Sequence, residues 1–225
     1  MIVLAFANGD RRALRDLLSS EVFESFDAVI KGRDLASRYK VSEHAAIEEK
    51  IAELLVSDGV VARCGGRMEF GARALGNRSI LANPSDQRVV PLINRMIKNR
   101  DFWMPFAPTI LAERASDYLD NPKRLPSPYM MLAMPTRAEA REALVAAVHP
   151  QDATARPQIL ERAWNPEYHA VISEFERRTG VGAVLNTSFN LHGEPVVCSA
   201  ADAVDTFERS GLPHVAVGHW LISKK

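Results

Sequence analysis

Four stretches of this sequence carry residue types that bind anions. The longest is GGRMEFGARALGNRSILANP, residues 65–84. It places four glycines in the twelve positions from Gly65 to Gly76 and carries Arg67, Arg73 and Arg78. Glycine lets backbone N–H groups approach a ligand closely and permits positive φ. Arginine offers a planar fork that meets phosphate or carboxylate oxygens two at a time. Lys98 and Arg100 follow at the end of a predicted helix, where cations also suit the helix dipole. In the string ATARPQ, Arg156 stands alone among small residues. The fourth stretch, LNTSFNLHGEP at residues 185–195, ends a predicted strand in Asn186, Ser188 and Asn190. Ligands of open α/β sheets bind at the carboxyl ends of strands. Together these features suit a small, multiply anionic molecule. A turn-rich surface loop with solvated arginines and Asx turns would use the same residues, so spacing alone leaves both readings open.

Other chemistries find less support. The glycines match neither the GxxxxGK[ST] phosphate loop nor the dinucleotide GxGxxG. Ser188 lacks the GxSxG elbow of a hydrolase. The six histidines, His44, His149, His169, His192, His214 and His219, form no HExxH or HxxxH pair, and no metal site is expected from this chain alone. Placed on one strand, His214 and His219 would face opposite ways. Glu69 and Glu194 are candidate acid/base groups, each better suited to orienting an arginine. Cys64 and Cys198 cannot build a disulfide framework and read as free thiols of a reducing compartment.

The elements that must position these residues alternate between strand and helix, which defines an α/β class. Ser42 is expected to cap a helix carrying Ile47, Ile51, Leu54 and Leu55, stopped at Asp58-Gly59, with a short strand at Val60–Ala62. A second strand covers Ser79–Ala82. A helix through Val90, Ile93, Met96 and Ile97 begins or bends at Pro91. Phe102–Leu111, punctuated by Pro105 and Pro108, reads as an extended edge segment, and Tyr129–Met134 as a strand. Asn165-Pro166 starts a helix that buries Tyr168, Val171, Ile172 and Phe175 and ends at Gly180. Strands follow at Val181–Leu185 and Pro195–Cys198. Ser199 and Asp202 form a capping box on the next helix, and Val215–Ile222 is the last strand. The pattern does not decide between a parallel and a mixed sheet. Residues 1–34 hold one plausible amphipathic stretch and nothing chemical.

With 225 residues, 28 basic and 28 acidic, and 47% hydrophobic, the chain has ordinary globular composition. Residues 63–100 carry eight basic residues against two acidic ones, so the zero net charge hides a basic segment. That favours a local anion site over a general polyanion surface. The absence of a signal-type start or a membrane-length apolar run points to a cytoplasmic protein away from membranes.

The strings GRMEFGARALGNRSILANP, IKNRDFWMPFAPTIL, ATARPQ, TGVGAVLNTSFNLHGEPVVCS and VGHWLI, in this order, closely resemble the C-terminal domain of the O-carbamoyltransferases acting on nodulation factors and on antibiotics of the cephalosporin and tobramycin types. The resemblance runs from about Ile47 to the C-terminus and divides the chain into an N-terminal segment, 1–40, and a domain, 41–225. It implies a YrdC/Sua5-like fold, a twisted open α/β sheet with flanking helices and a cationic cavity. It also implies formation of carbamoyl-adenylate from carbamoyl phosphate and ATP, with Mg2+, and transfer to a hydroxyl by a separate Kae1-like domain or subunit that holds a metal. By motif position, the resemblance assigns Arg73 and Lys98 to the phosphate of carbamoyl phosphate and Arg156 to the carbamoyl or ATP phosphates. Asn186, Ser188 and Asn190 fall to nucleotide or carbamoyl groups. Arg67, Arg78 and Arg100 join the substrate-binding set, with Arg67 and Arg78 also able to brace the loop against Glu69.

Three departures stand out. Met104 and His192 occupy positions where many relatives have Arg, and Ala72 replaces a usual Pro. Losing one phosphate-binding Arg costs about 1.5–3 kcal/mol of binding, and Arg95 or Arg100 are the candidates to compensate. The length leaves no room for the transfer domain, so this chain alone is not expected to complete carbamoyl transfer. The alternatives are a non-catalytic ligand-binding domain, motivated by Met104 and His192, and an RNA-binding YrdC-like module. Neutral charge and the lack of an aromatic platform weigh against nucleic acid.

Overall fold

The computed structural model describes residues 26–57, 59–71, 73–98 and 104–225. The amphipathic stretch expected within residues 1–34 lies mostly outside them, as do Ala72 and Arg100. The elements run α1 (Phe26–Gly32), β1 (Tyr39–Glu43), α2 (Ile47–Ser57), β2 (Val60–Cys64), β3 (Arg78–Ala82) and α3 (Val89–Ile93). A π-helical turn, Asn94–Lys98, extends α3. Then come β4 (Ala107–Leu111), α4 (Ala115–Tyr118), β5 (Met134–Pro135), β6 (Thr154–Ala155), β7 (Gln158–Leu160), α5 (Pro166–Thr179), β8 (Ala183–Ser188), α6 (Ala200–Arg209), β9 (His214–Val217) and β10 (Trp220–Lys224).

Eight of these strands make one open, mixed sheet in the order β1-β10-β9-β2-β3-β8-β4-β7. Only β2 with β9 and β4 with β7 run parallel; the other pairs are antiparallel. Alternation along each strand sends side chains to opposite faces. Val61, Leu81 and Val184 pack under α2 and α5, against Ile51, Leu55, Tyr168, Val171, Ile172 and Phe175. Val60, Ala62, Ile80, Leu185 and Val215 pack under α1, α3 and α6, against Ile30, Ile93, Val204 and Phe207. With helices on both faces, the central strands β2, β3 and β4 are buried throughout. That explains why they read as short continuous apolar runs rather than alternating ones. No helix among the described residues is long and apolar enough to cross a membrane.

Helix ends follow their chemistry. The Asn165 side chain accepts the Tyr168 N–H, Pro166 fills the first turn, and Gly180 closes α5 at φ 77°. Ser199 and Asp202 complete a reciprocal capping box on α6. Pro91 lies in the first turns of α3, which starts two residues earlier.

Five expected elements differ. Ser42 lies inside β1, with its hydroxyl 2.8 Å from the His44 ring, and α2 starts at Ile47 without it. The Pro105/Pro108 segment is not an edge, because β7 lies outside β4. It pairs only from Thr109 onward, so both prolines precede the stretch with neighbours on each side. Tyr129–Met134 has no strand before Met134, and Tyr129 and Met131 face solvent; an apolar run needs a sheet neighbour to become a strand. Pro195–Cys198 belongs to a loop held by the bond from Val197 N to Phe189 O (3.0 Å). Val215–Ile222 is a hairpin of β9 and β10 that turns at Gly218. That turn separates His214, beside the Ser223 hydroxyl, from His219, beside Asp27 and Glu43.

β1 crosses residue 40 and pairs along β10, while Val29 and Ile30 of α1 enter the same core. Within residues 26–40, α1 thus packs against this sheet, and Tyr39 and Lys40 pair in it. Gly76 is the tightest point of the loop between β2 and β3. Its φ is +120°, and a Cβ there would lie 2.1 Å from the Tyr168 ring. Gly76→Ala combines overpacking with a disfavoured backbone, and we expect it to lower unfolding free energy by about 3 kcal/mol or more in urea melts.

Candidate functional site

The four stretches singled out in the sequence meet at one end of the sheet. Cys64, Arg78 and Ser188 close the facing ends of β2, β3 and β8, and Ala107 and Gln158 start β4 and β7 at the same end. Residues 65–77 form the loop joining β2 to β3 there.

A buried guanidinium anchors that loop. Arg63 is the lone charged residue in the apolar strand VVARC, and the sequence reading passed over it; a cation inside a buried strand was the available signal. Its Nη1 donates to the Gly76 carbonyl and to Asn77 Oδ1, both at 2.8 Å, and its Nη2 to Glu167 Oε2 at 2.9 Å. Burial lowers the Arg63 pKa, and Glu167 opposes that. Asn77 is the hub of the loop. Its Nδ2 donates to the Arg67 carbonyl (2.7 Å), and its Oδ1 also accepts from Asn165 Nδ2 (2.9 Å).

Arg78 is buried, and its guanidinium donates to the carbonyls of Gly65 (2.9 Å), Asn77 (2.8 Å) and Cys198 (2.9 Å). It ties the loop to the start of α6, so it braces the site where a substrate contact was expected. Glu69 is not its partner. One Glu69 carboxylate oxygen instead takes the backbone N–H groups of Leu75 (3.1 Å) and Asn77. Glu194 does orient an arginine, Arg209.

Arg67, Arg73 and Arg156 are exposed. Arg73 and Arg156 lie close enough to repel each other. Partial burial lowers the Arg156 pKa, and the charge of Arg73 adds to the effect. Among the described residues no ion pair links either one to a carboxylate. Below them, Asn186, Thr109 and Gln158 are buried on the α5 side of the sheet. Asn186 Nδ2 donates to the Ala74 carbonyl (3.1 Å) and Gln158 Nε2 to the Leu75 carbonyl (3.1 Å), which fixes the chain immediately after Arg73.

Lys98 comes from the other side of the sheet, at the end of the π-helical turn. It is 2% exposed, and its Nζ donates to Ser188 Oγ (3.0 Å) and Asn190 Oδ1 (2.6 Å). Asn190 Nδ2 donates to the carbonyls of Leu191 and Glu194 (2.9 and 2.8 Å), which orients its oxygen toward the ammonium. His192 sets its Nδ1 2.8 Å from the Lys98 carbonyl. Arg95 does not join them. It lines a surface hollow with Gly59, Asn83 and Asp86, at the opposite end of β2 and β3. Met104 is part of another hollow, with Phe106, Arg141 and His149.

Among the described residues no three His, Cys, Asp or Glu side chains gather to hold a metal. The two cysteines are free. Cys64 is buried at the end of β2 behind Arg78, and burial pushes its thiol up to about 11.

A family model described as Carbamoyltransferase C-terminus matches residues 52–224. Nodulation protein NolNO of Sinorhizobium fredii is 40% identical over 216 residues, covering 90% of this chain and 32% of the relative. Nodulation protein NolO of Bradyrhizobium diazoefficiens is 39% identical over 180 residues, covering 80% of this chain and 33% of the relative. Nodulation protein U of Rhizobium tropici is 35% identical over 156 residues, covering 69% of this chain and 26% of the relative. The chain thus spans about a third of the length of such relatives.

The Cys64 thiol yields a pH prediction. Between pH 9 and about 11 the unfolded chain loses this proton while the folded chain keeps it, so stability falls as pH rises through that window. The expected loss is on the order of 2 kcal/mol. Melts at pH 8–11 should show a shallower alkaline decline in Cys64→Ala than in the wild type.

Proposed function

The chain belongs to the carbamoyltransferase C-terminal family, and we propose that within it this chain makes carbamoyl-adenylate from carbamoyl phosphate and ATP. A separate Kae1-like domain or subunit then moves the carbamoyl group to a hydroxyl acceptor. The observation that carries this reading is the Arg73–Arg156 pair, two exposed guanidinium groups close enough to repel each other, with no ion pair to a carboxylate among the described residues. An incoming anion would relieve that repulsion.

The atoms balance with one water. Water splits the carbamoyl–phosphate bond to give carbamate and inorganic phosphate. A carbamate oxygen then attacks the α-phosphorus of ATP, and the bond from that phosphorus to pyrophosphate breaks. Negative charge grows on the phosphoryl oxygens at each step, and fixed cations stabilise it without reorganising. Arg73 and Lys98 take the phosphate of carbamoyl phosphate, and Arg156 takes the carbamoyl or ATP phosphates. Ser188 and Asn190 hold the Lys98 ammonium in place, with Asn190 Oδ1 turned to accept from it. Mg2+ arrives as part of the nucleotide substrate and offsets charge on the triphosphate.

A non-catalytic ligand-binding domain is the second reading. His192 favours it: in place of an arginine fork it puts a ring on the Lys98 carbonyl.

Pyrophosphate release from the chain with ATP, Mg2+ and carbamoyl phosphate separates the two. Catalysis predicts release that requires carbamoyl phosphate and falls about 100-fold in Arg73→Ala and Arg156→Ala. Ligand binding with no release, even after a Kae1-like transfer domain is added, would establish the second reading instead.

A further inference from the structure

Arg95 is a basic residue that the anion site does not absorb. It stands on the same π-helical turn as Lys98, yet it lines a hollow of about 680 Å³ at the opposite end of β2 and β3. A hollow of that size can hold a small organic molecule. Three segments wall it: the end of α2, the loop from β3 to α3, and α3 with its π-helical turn. Backbone bonds tie these walls together. Gly59 N donates to the Leu54 carbonyl (3.0 Å), and Asn83 N donates to the Gly59 carbonyl (3.1 Å). The shape therefore exists before a ligand arrives, and little ordering opposes binding.

Most polar groups of the hollow are already engaged. The Ser57 hydroxyl donates to the Glu53 carbonyl (3.2 Å) and the Ser85 hydroxyl to the Ala143 carbonyl (2.9 Å). Both Asp86 oxygens accept from Arg88, through Nε and Nη2 at 2.8 Å each, so these two charges offset each other. Asn83 Oδ1 accepts the Ser85 N–H (3.0 Å). A backbone N–H can only donate, which fixes the orientation of that amide and leaves Nδ2 as its donor. Asn83 Nδ2 and the Arg95 guanidinium have no partner among the described residues. Both are donors only, and one carries a full charge.

The remaining wall is apolar. Leu55 and Val89 are buried at its base, and Val56, 46% exposed, stands at its rim. The charge balance narrows the ligand. With Arg88 paired, the hollow has one net positive charge among the described residues. A polyphosphate would set several negative charges against one cation and beside the Asp86 carboxylate. Inorganic phosphate would leave the apolar wall in water. A single carboxylate on an apolar skeleton meets both demands: its two oxygens match the arginine fork, and its body removes Val56 from solvent.

We propose that this hollow is a second binding site, for monocarboxylates with an aliphatic or aromatic body, separate from the anion site at the other end of the sheet. The competing partner for Arg95 is the chain's own Asp58, which lies between Ser57 and Gly59 in sequence and outside the described residues. As a counter-ion it would leave no charge for a ligand.

The test is calorimetric titration of the chain with phenylacetate, phenylethanol and acetate. The first two share the ring, and the first and last share the carboxylate. Wild type should bind phenylacetate about 10-fold or more tighter than either of the others, the worth of one charge-assisted hydrogen bond. Arg95→Gln and Val56→Glu alter exposed side chains, and thermal melts check their folding. In Arg95→Gln the preference for the acid over the alcohol should fall below about 3-fold. Val56→Glu should weaken phenylacetate about 10-fold, because it sets a like charge at the rim. Arg73→Ala, at the other end of the sheet, should leave phenylacetate affinity within about twofold. Equal wild-type affinities for acid and alcohol would overturn the proposal, as would a preference that survives Arg95→Gln. Loss of binding in Arg73→Ala would assign the carboxylate to the other site and overturn it too. Phenylacetate binding that appears only in Asp58→Asn would show Arg95 occupied by the chain itself, and binding in neither protein would leave the hollow without a ligand; both reject the site.

Discussion

The loop that carries this site is wound on a buried positive charge. Arg63 lies inside an apolar strand, and an unpaired guanidinium there would be expensive. Its one carboxylate, Glu167, is 59% exposed, so water screens that attraction. What makes the burial tolerable is geometry. The planar fork reaches the Gly76 carbonyl and Asn77 Oδ1 at the same time as Glu167. Those acceptors exist only when the loop folds back over the strand end, so satisfying Arg63 and shaping the loop are one event. Gly76 must then lie against the Tyr168 ring, and only a residue without Cβ can do so.

Arg78 repeats the device on the next strand. It gathers carbonyls from the loop and from Cys198, and so links the loop to the start of α6. Two arginines thus work inward as braces, and Arg73 and Arg156 are left outward. The division follows from hydrogen bonding. A guanidinium whose donors are met by carbonyls has little left for a ligand, whereas one facing a like charge gains from an incoming anion.

Lys98 shows a third arrangement. It approaches the strand end from the face opposite α5, carried by a π-helical turn, and meets Ser188, the last paired residue of β8, and Asn190 beyond it. Lys98 therefore reaches the end of β8 from one helix layer, while Arg73 and Arg156 sit on loops between strands. β8 can receive Lys98 there because its polar residues, Asn186 to Ser188, begin where its apolar ones stop.

The sequence alone determined the local pieces. Caps at Asn165 and Ser199, the buried stripe of α5 and the apolar runs of β2 and β3 depend on neighbours a few residues apart, and they were legible. So was the family, through long strings in fixed order. Tertiary structure decided what those pieces meet. It turned Val215–Ile222 into a hairpin at Gly218, set β7 outside β4, and left Tyr129–Met134 without a sheet neighbour. It also sorted the arginines. Arg63 stands apart in its apolar strand, but Arg73, Arg78 and Arg156 have similar sequence surroundings, and nothing within a few positions tells the buried brace from the exposed side chain. That difference lies in which carbonyls, carboxylates and like charges arrive from distant parts of the chain, and those partners exist only once the sheet has brought its strand ends together.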